Sequence, residues 1–182
     1  MAKKIKGANT REEKAIIISQ GMAPPRGLQQ IMETFGDIFR FIRDDGTIDA
    51  RWEKEILVAI DLPFAIPLSW NVAQSVQKIL CHKKLGSTLS HVFEDIAGRG
   101  LGKHIVTFGG CYNFRVKRKS EKLSTHSWGI AIDLNPETNQ QGKSGDMHSA
   151  IVDIFKQYGF TWGGDWPGRS KDPMHFQFCT GY

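Results

Sequence analysis

The sequence predicts an α+β fold in which a small antiparallel sheet is flanked by helices. Two observations lead to this prediction: helical apolar spacing dominates the first half of the chain, and short strand-like runs dominate the second half. With 182 residues, 40% of them hydrophobic, the chain can bury one core. We therefore expect a single domain over residues 27–182, after an extended or flexible lead over residues 1–26 that ends in a proline pair.

Two helices are predicted in the first half. Apolar residues recur at intervals of three and four over residues 28–42, which predicts an amphipathic helix. Similar spacing predicts a second helix over residues 71–97, interrupted near Gly86. The apolar runs 56–60 and 64–68 lie close to prolines, so they are interpreted as strands or strand-like loops.

The second half is predicted to supply the sheet. Residues 105–108, 130–134 and 175–178 are short runs rich in β-branched and aromatic side chains, as is typical of strands. Between the last two runs, residues 147–158 repeat apolar side chains at helical spacing and are followed by Gly159. We therefore expect a third helix between the last two strands.

The charge balance favours anionic partners. Lys and Arg number 24 against 19 Asp and Glu, which gives a net charge of +5. Basic residues are not interleaved with aromatic ones, and no zinc-finger spacing occurs, so no nucleic-acid partner is expected. No run approaches the ~20 apolar residues of a membrane span, and the start lacks the apolar core of a secretory signal. We expect a soluble monomer, synthesised in the cytoplasm without a signal peptide.

The cysteines do not predict a disulfide framework. Cys81, Cys111 and Cys179 are odd in number, widely separated and without C-x-x-C spacing. Isolated cysteines of this kind are most often buried thiols.

Three side chains of the second half are candidate metal ligands. A catalytic zinc site uses three ligands from His, Asp or Glu, leaves a fourth position for water and has a separate carboxylate for the proton. His126 precedes a glycine turn into the strand that carries Asp133, and His175 opens the last strand. Asp133 ends an apolar stretch, where an ionised carboxylate is costly unless a cation or several donors lie nearby.

Two motifs follow one another along the chain, S-x-H-x-x-G-x-A-x-D over residues 124–133 and D-P-M-H-F over residues 172–176. The sequences G-G-C-Y-N-F-R over residues 109–115 and F-x-W-G-G-D-W over residues 160–166 accompany them. Together they resemble the M15 group of metallopeptidases, which includes D-alanyl-D-alanine carboxypeptidases and phage L-alanyl-D-glutamate endopeptidases. The resemblance spans residues 57–178, and its specific part lies in about the last 75 residues.

The resemblance implies a Hedgehog/DD-peptidase-like fold and one zinc ion held by His126, Asp133 and His175. It also implies that Asp172 is the general base, where many members carry glutamate, and that Arg115 stabilises the negative charge of the transition state. Without the resemblance, Arg115 can also be interpreted as a surface charge in a basic stretch of the sequence. The two histidines and the carboxylate could likewise hold another divalent ion.

Candidate substrate contacts come from the same segments. Ser124 is expected to bind the substrate, although a serine before a turn often caps the backbone instead. The aromatic candidates could wall the substrate site or belong to the core, and they are Tyr112, Trp128 and Trp162, with Trp166 beside them. Asp165 and Gln177 are candidates to orient a ligating imidazole, by proximity in sequence alone.

These observations predict zinc-dependent hydrolysis of a peptide bond involving a D-amino acid in peptidoglycan stem peptides. A carboxypeptidase and an endopeptidase are both compatible with the sequence. We favour a protein like a phage or prophage lysin that can be released to the cell wall, and a cytoplasmic dipeptidase is also compatible with the sequence. The alternative is a non-catalytic zinc module that binds the wall or a protein partner.

Overall fold

The computed structural model of the protein describes residues 22–117 and 120–182, and within them the predicted α+β class is confirmed. In this described part of the chain, four α-helices accompany a six-stranded sheet. The helices are α1 (Gly27–Phe35), α2 (Ala50–Ile56), α3 (Gly86–Gly98) and α4 (Ser149–Gln157). The strands are β1 (Leu57–Leu68), β2 (Asn71–His82), β3 (Phe108–Gly110), β4 (Ala131–Leu134), β5 (Thr161–Trp162) and β6 (His175–Gln177).

The sheet has the strand order β2-β1-β3-β4-β6-β5. Its neighbouring strands are antiparallel, as predicted, except for β1 and β3, which meet in parallel where Leu68 lies opposite Phe108. Strands β4 and β6 lie side by side, and their register places Asp133 directly opposite His175. This pairing brings two predicted metal ligands together although they are far apart in sequence.

The helix predicted over residues 71–97 is wrong in its first half. Residues of β2 pair with β1 to form a long antiparallel hairpin, and within the predicted range the α-helix begins only at Gly86, after a 3₁₀ turn over Lys83–Leu85. Apart from Ile56, which ends α2, the runs 56–60 and 64–68 belong to the single strand β1, whose register shifts between Asp61 and Ile66. Pro63 lies within this shift and lacks the N–H that a regular ladder needs.

Other predicted bounds also differ from the structure. The helix predicted over residues 28–42 ends at Phe35, because Gly36 has a φ of 101° and leaves the helical conformation. A separate 3₁₀ turn follows over Ile38–Phe41. Helix α2 was not predicted, and the Asp49 side chain caps it by accepting a hydrogen bond from the Arg51 amide.

The core lies between the sheet and helices α3 and α4. Phe155 of α4 stacks on Phe176 of β6 with ring centroids 4.2 Å apart, and it meets Phe93 of α3 edge to face. Trp128 is fully buried beside the end of α1, where its indole N–H donates to the Gly36 carbonyl at 3.0 Å. The three cysteines are buried free thiols, as predicted.

The predicted lead over residues 1–26 lies mostly outside the described residues, which begin at residue 22. Its last residues lie against the end of the sequence. The Thr180 amide donates to the Pro25 carbonyl at 2.9 Å, and the Gly27 amide donates to the Thr180 carbonyl at 2.8 Å. Among the described helices, none has the length and apolar character that crossing a bilayer requires.

Candidate active site

His126 is held in a 3₁₀ turn, Thr125–Trp128, immediately before β4. The Ser124 hydroxyl caps this turn by accepting a hydrogen bond from the His126 amide at 3.3 Å. Gly129 ends the turn with a φ of 67°, and a Cβ added there would lie 2.8 Å from the His82 backbone nitrogen. Glycine is therefore required on both conformational and steric grounds.

The three predicted metal ligands converge on one point. His126 Nε2 lies 3.2 Å from His175 Nδ1 and 3.2 Å from Asp133 Oδ2. His175 Nδ1 lies 2.9 Å from Asp133 Oδ1. Among the described residues, this is the one group of three or more His, Cys, Asp and Glu side chains placed to hold a metal ion.

Each imidazole is oriented by a hydrogen bond on its other nitrogen. His126 Nδ1 donates to the Cys111 carbonyl at 2.6 Å, and His175 Nε2 donates to Gln177 Oε1 at 3.1 Å. These bonds favour the tautomers that leave a lone pair on each of the two facing nitrogens. Of the two orienting candidates from the sequence, Gln177 contacts a ligand, whereas Asp165 pairs with Lys156 at 2.6 Å.

The electrostatics of the cluster favour a positive charge between these groups. Burial opposes ionisation of Asp133, yet the charges and hydrogen bonds of His126 and His175 lower its pKa below the ordinary range. Burial also opposes protonation of His175, but the hydrogen bond and charge of Asp133 raise the pKa of this imidazole. A proton can supply the positive charge, and a metal cation can replace that proton.

The donor set fits a zinc ion. Two imidazole nitrogens and one carboxylate match the ligand types of catalytic zinc sites, which also keep one position for water. For bonds of about 2.0–2.1 Å, the edges of a tetrahedral site are about 3.3 Å long. The separations of 2.9–3.2 Å between the donor atoms are close to this value.

Asp172 lies near the cluster, and one of its two carboxylate oxygens lacks a hydrogen-bond partner among the described residues. Its Oδ1 is buried and, within the described part of the chain, has no hydrogen-bond partner. The Asp172 amide donates to the Gly163 carbonyl at 2.8 Å, and the Asp172 carbonyl accepts from the His175 amide at 3.0 Å, so the backbone is fixed. Burial, assisted by the charge of Asp133, raises the pKa of Asp172 to about 6 against the opposing charges of His175, His126 and Arg115.

A cavity of about 890 Å³ opens over these groups, and we call it the site cavity. Two metal-ligand candidates, Asp133 and His175, lie on its wall together with Asp172, Arg115 and Ser124. The rest of the wall comes mostly from loops and the end of the sequence, and includes Lys117, Gln140, Gln141, Trp166, Thr180 and Tyr182.

The predicted aromatic contacts are only partly represented on this wall. Trp128 is fully buried in the core, and neither Tyr112 nor Trp162 lines the site cavity. The Trp162 indole instead donates to the Pro173 carbonyl at 2.7 Å, which supports the segment before His175. Trp166 is the tryptophan on the wall, and its ring centroid lies 5.5 Å from that of His175.

Sequence reasoning did not identify Lys117, Gln140, Gln141 or Tyr182 as wall residues. They stand outside the two motifs, and their approach depends on how the loops fold over the sheet. Trp166 had a signal, because it ends the F-x-W-G-G-D-W segment. That segment alone does not tell which of its aromatic rings faces the substrate.

A comparison with known protein families also points to a peptidase site in this part of the chain. Residues 118–178 match an M15 peptidase family model whose description is D-alanyl-D-alanine carboxypeptidase. The matched segment contains all three clustered metal-ligand candidates and Asp172. The match supports peptidase activity on peptidoglycan, and the segment that carries the candidate site is similar to the M15 peptidase family.

Proposed function

We propose that the protein is a mononuclear zinc peptidase that hydrolyses a peptide bond involving a D-amino acid in peptidoglycan stem peptides. The observation that carries this proposal is the convergence of His126, Asp133 and His175 next to a cavity that Asp133 and His175 share with the incompletely satisfied carboxylate of Asp172. A metal site with a separate base is an arrangement that activates water for amide hydrolysis. The reaction type is D,D-carboxypeptidase or L-alanyl-D-glutamate endopeptidase.

In this mechanism, His126, Asp133 and His175 would hold the zinc ion. When bound, zinc supplies Lewis acidity, which makes water a usable nucleophile near neutral pH. Asp172 accepts a proton from the attacking water and returns it to the departing amine. Its raised pKa suits both steps, because a carboxyl that titrates near 6 both takes and gives protons near neutrality.

Arg115 is proposed to stabilise the negative charge that develops on the scissile carbonyl oxygen. Its backbone is fixed by two bonds with the Ser127 hydroxyl, which accepts from the Arg115 amide at 3.1 Å and donates to the Arg115 carbonyl at 3.0 Å. The side chain is exposed on the wall of the site cavity, and its charge lowers the pKa of Asp172. A cation so placed favours an oxyanion more than a neutral carbonyl.

Ser124 both caps the turn that carries His126 and lines the site cavity. It is buried, and its hydroxyl caps the turn that carries His126, so the capping role suggested by its position before a turn has a structural counterpart. It also lines the site cavity. We propose that its contribution to substrate binding is secondary to holding His126 in place.

Defined muropeptides provide the direct test. The purified protein is incubated with stem peptides after removal of metal by a chelator, with and without added zinc, and the products are identified by mass spectrometry. We expect zinc to restore cleavage, and the mass of the products identifies the bond that is cut. Intact cell walls, assayed in parallel, test the lysin-like role.

Two outcomes would contradict parts of this proposal. Cleavage that persists undiminished in metal-free protein would remove zinc from the mechanism. No cleavage of any stem peptide by protein that holds one zinc per chain would favour a non-catalytic binding module.

A further inference from the structure

The side chain of Lys117 lies on the site cavity, apart from the groups proposed for catalysis. Its ammonium nitrogen lies 4.0 Å from the centre of the Tyr182 ring, which is within the range of a cation–π contact. Both side chains line the cavity that contains Asp133, Asp172 and His175. The mechanism proposed above does not use either of them.

Tyr182 holds a defined position. Its hydroxyl donates to the Leu123 carbonyl at 2.9 Å, and its ring meets that of Trp128 edge to face at 6.0 Å. The Lys117 backbone is also fixed, because its amide donates to the Lys122 carbonyl at 2.8 Å and the neighbouring Val116 pairs with Leu123. The Lys117 ammonium therefore lies between two fixed parts of the structure, the Tyr182 ring and its own backbone segment.

The charge of Lys117 is incompletely compensated. The side chain is partly buried, and none of the ion pairs between described residues involves it. Partial burial of a cation is unfavourable unless an opposite charge or several acceptors lie nearby. The face of one aromatic ring satisfies only part of this need and leaves donors on the ammonium for a ligand.

We propose that Lys117, held over Tyr182, binds a carboxylate of the substrate peptide at a subsite separate from the metal ligands and Asp172. This inference rests on the proposed function and specifies its substrate class, a peptide with a free carboxylate. The carboxylate can belong to a side chain or to the terminus of the peptide. A charged hydrogen bond at this point contributes to affinity and to the choice of substrate.

The test compares three stem peptides: one with all carboxylates free, one amidated at its acidic side chain and one amidated at its terminus. Dissociation constants are measured by calorimetry in the zinc-loaded Asp172→Asn background, and KM and kcat are measured with the native base. We expect Lys117→Met to weaken binding of the free peptide and raise its KM about tenfold, with kcat nearly unchanged. Wild-type protein is expected to bind one amidated peptide equally weakly, which identifies the source of the carboxylate.

Two further variants separate charge from structure. Lys117→Arg keeps the cation and should recover most of the affinity. Lys122→Met removes an exposed cation from the same segment, outside the cavity wall, and should leave the dissociation constant unchanged. Thermal unfolding verifies that each variant is folded.

The inference would be overturned if Lys117→Met bound all three peptides as the unsubstituted chain does, or if Lys122→Met caused the same loss. The binding experiment decides this point without turnover. Zinc-loaded wild-type protein that binds the free peptide through Lys117 but cleaves none of the three would instead contradict the proposed hydrolysis.

Discussion

His126 and His175 face each other through Nε2 and Nδ1 at 3.2 Å, while the opposite nitrogen of each ring donates a hydrogen bond within the protein. Two lone pairs at this distance repel unless a cation lies between them. The carboxylate of Asp133 contacts both nitrogens and completes the cluster. The arrangement is thus organised for a positive charge before any substrate arrives.

Replacement of His175 by alanine should abolish stoichiometric zinc binding. The change removes one of the three metal-ligand atoms, so that only His126 and Asp133 remain to bind the ion. Zinc content after dialysis against buffered zinc, measured by elemental mass spectrometry, checks this expectation. His91→Ala on α3 is the matched control, because His91 does not line the site cavity. Full zinc content in the His175 variant would contradict the ligand assignment.

Replacement of Asp172 by asparagine should reduce kcat by about 10²–10⁴-fold, the usual contribution of a general base. Zinc content should remain at one per chain, because Asp172 lies outside the ligand set. Asp165→Asn removes a carboxylate that pairs with Lys156 at the surface and should leave kcat unchanged. A fully active Asp172→Asn protein would exclude this residue as the base.

The pH dependence should show an acidic limb governed by Asp172. Burial raises the pKa of this carboxyl to about 6, and only its ionised form accepts a proton. We therefore expect kcat/KM to fall as the pH decreases through this region, approaching tenfold per unit. Zinc content is measured at each pH, since protonation of the ligands also releases metal. A limb that persists unchanged in Asp172→Asn would belong to another group.

Gln177 should raise the affinity of the site for zinc. Its Oε1 accepts from His175 Nε2, and its amide nitrogen donates to the Cys179 carbonyl at 3.3 Å. We expect Gln177→Leu to weaken zinc binding about 10–100-fold, as is usual when a partner of a ligating imidazole is lost. Gln177→Glu retains an acceptor and should recover most of the affinity. Competition with a chromogenic chelator measures both, and equal losses in the two variants would point to packing instead.

A methyl group at Gly109 should disturb the strand that carries Asp133. A Cβ there would lie 2.9 Å from the Asp133 Cβ and 3.2 Å from its carbonyl oxygen, so β3 and β4 must separate. We expect Gly109→Ala to lower the free energy of unfolding by about 1–3 kcal/mol and to reduce zinc affinity. Gly98→Ala at the end of α3 meets no atom within 4 Å and should be neutral or stabilising. Chemical denaturation compares the two, and equal stabilities would contradict the predicted clash.

The error over residues 71–82 shows why apolar spacing alone does not distinguish a helix from a strand. Val72, Val76 and Leu80 recur at intervals of four, but Val72 and Leu80 are exposed on β2. Near the end of the strand, Ile79 and Cys81 are buried on either side of the exposed Leu80, which is the alternation of a strand, and His82 at its last position is buried as well. The hairpin turn at Ser69 and Trp70 carries no Asn-Gly or Asp-Gly signal, so nothing local revealed the pairing with β1.

The candidate metal ligands could be named from the sequence because they lie within two short motifs on adjacent elements. The register of β4 and β6 then places Asp133 opposite His175, and a capped turn carries His126. The aromatic side chains were less predictable, since their direction depends on packing. Trp128 is in the core and Trp166 is on the cavity wall, although each stands beside a glycine-containing segment.

The division between strands and loops at this site has a consequence for how specificity can change over evolution. The metal-ligand candidates are fixed by strand pairing and a capped turn, whereas Lys117, Gln140, Gln141 and Trp166 come from connecting segments. Loops tolerate substitution and insertion better than paired strands. Related chains can therefore acquire new peptide preferences by exchanging these segments while the hydrolytic centre is inherited intact.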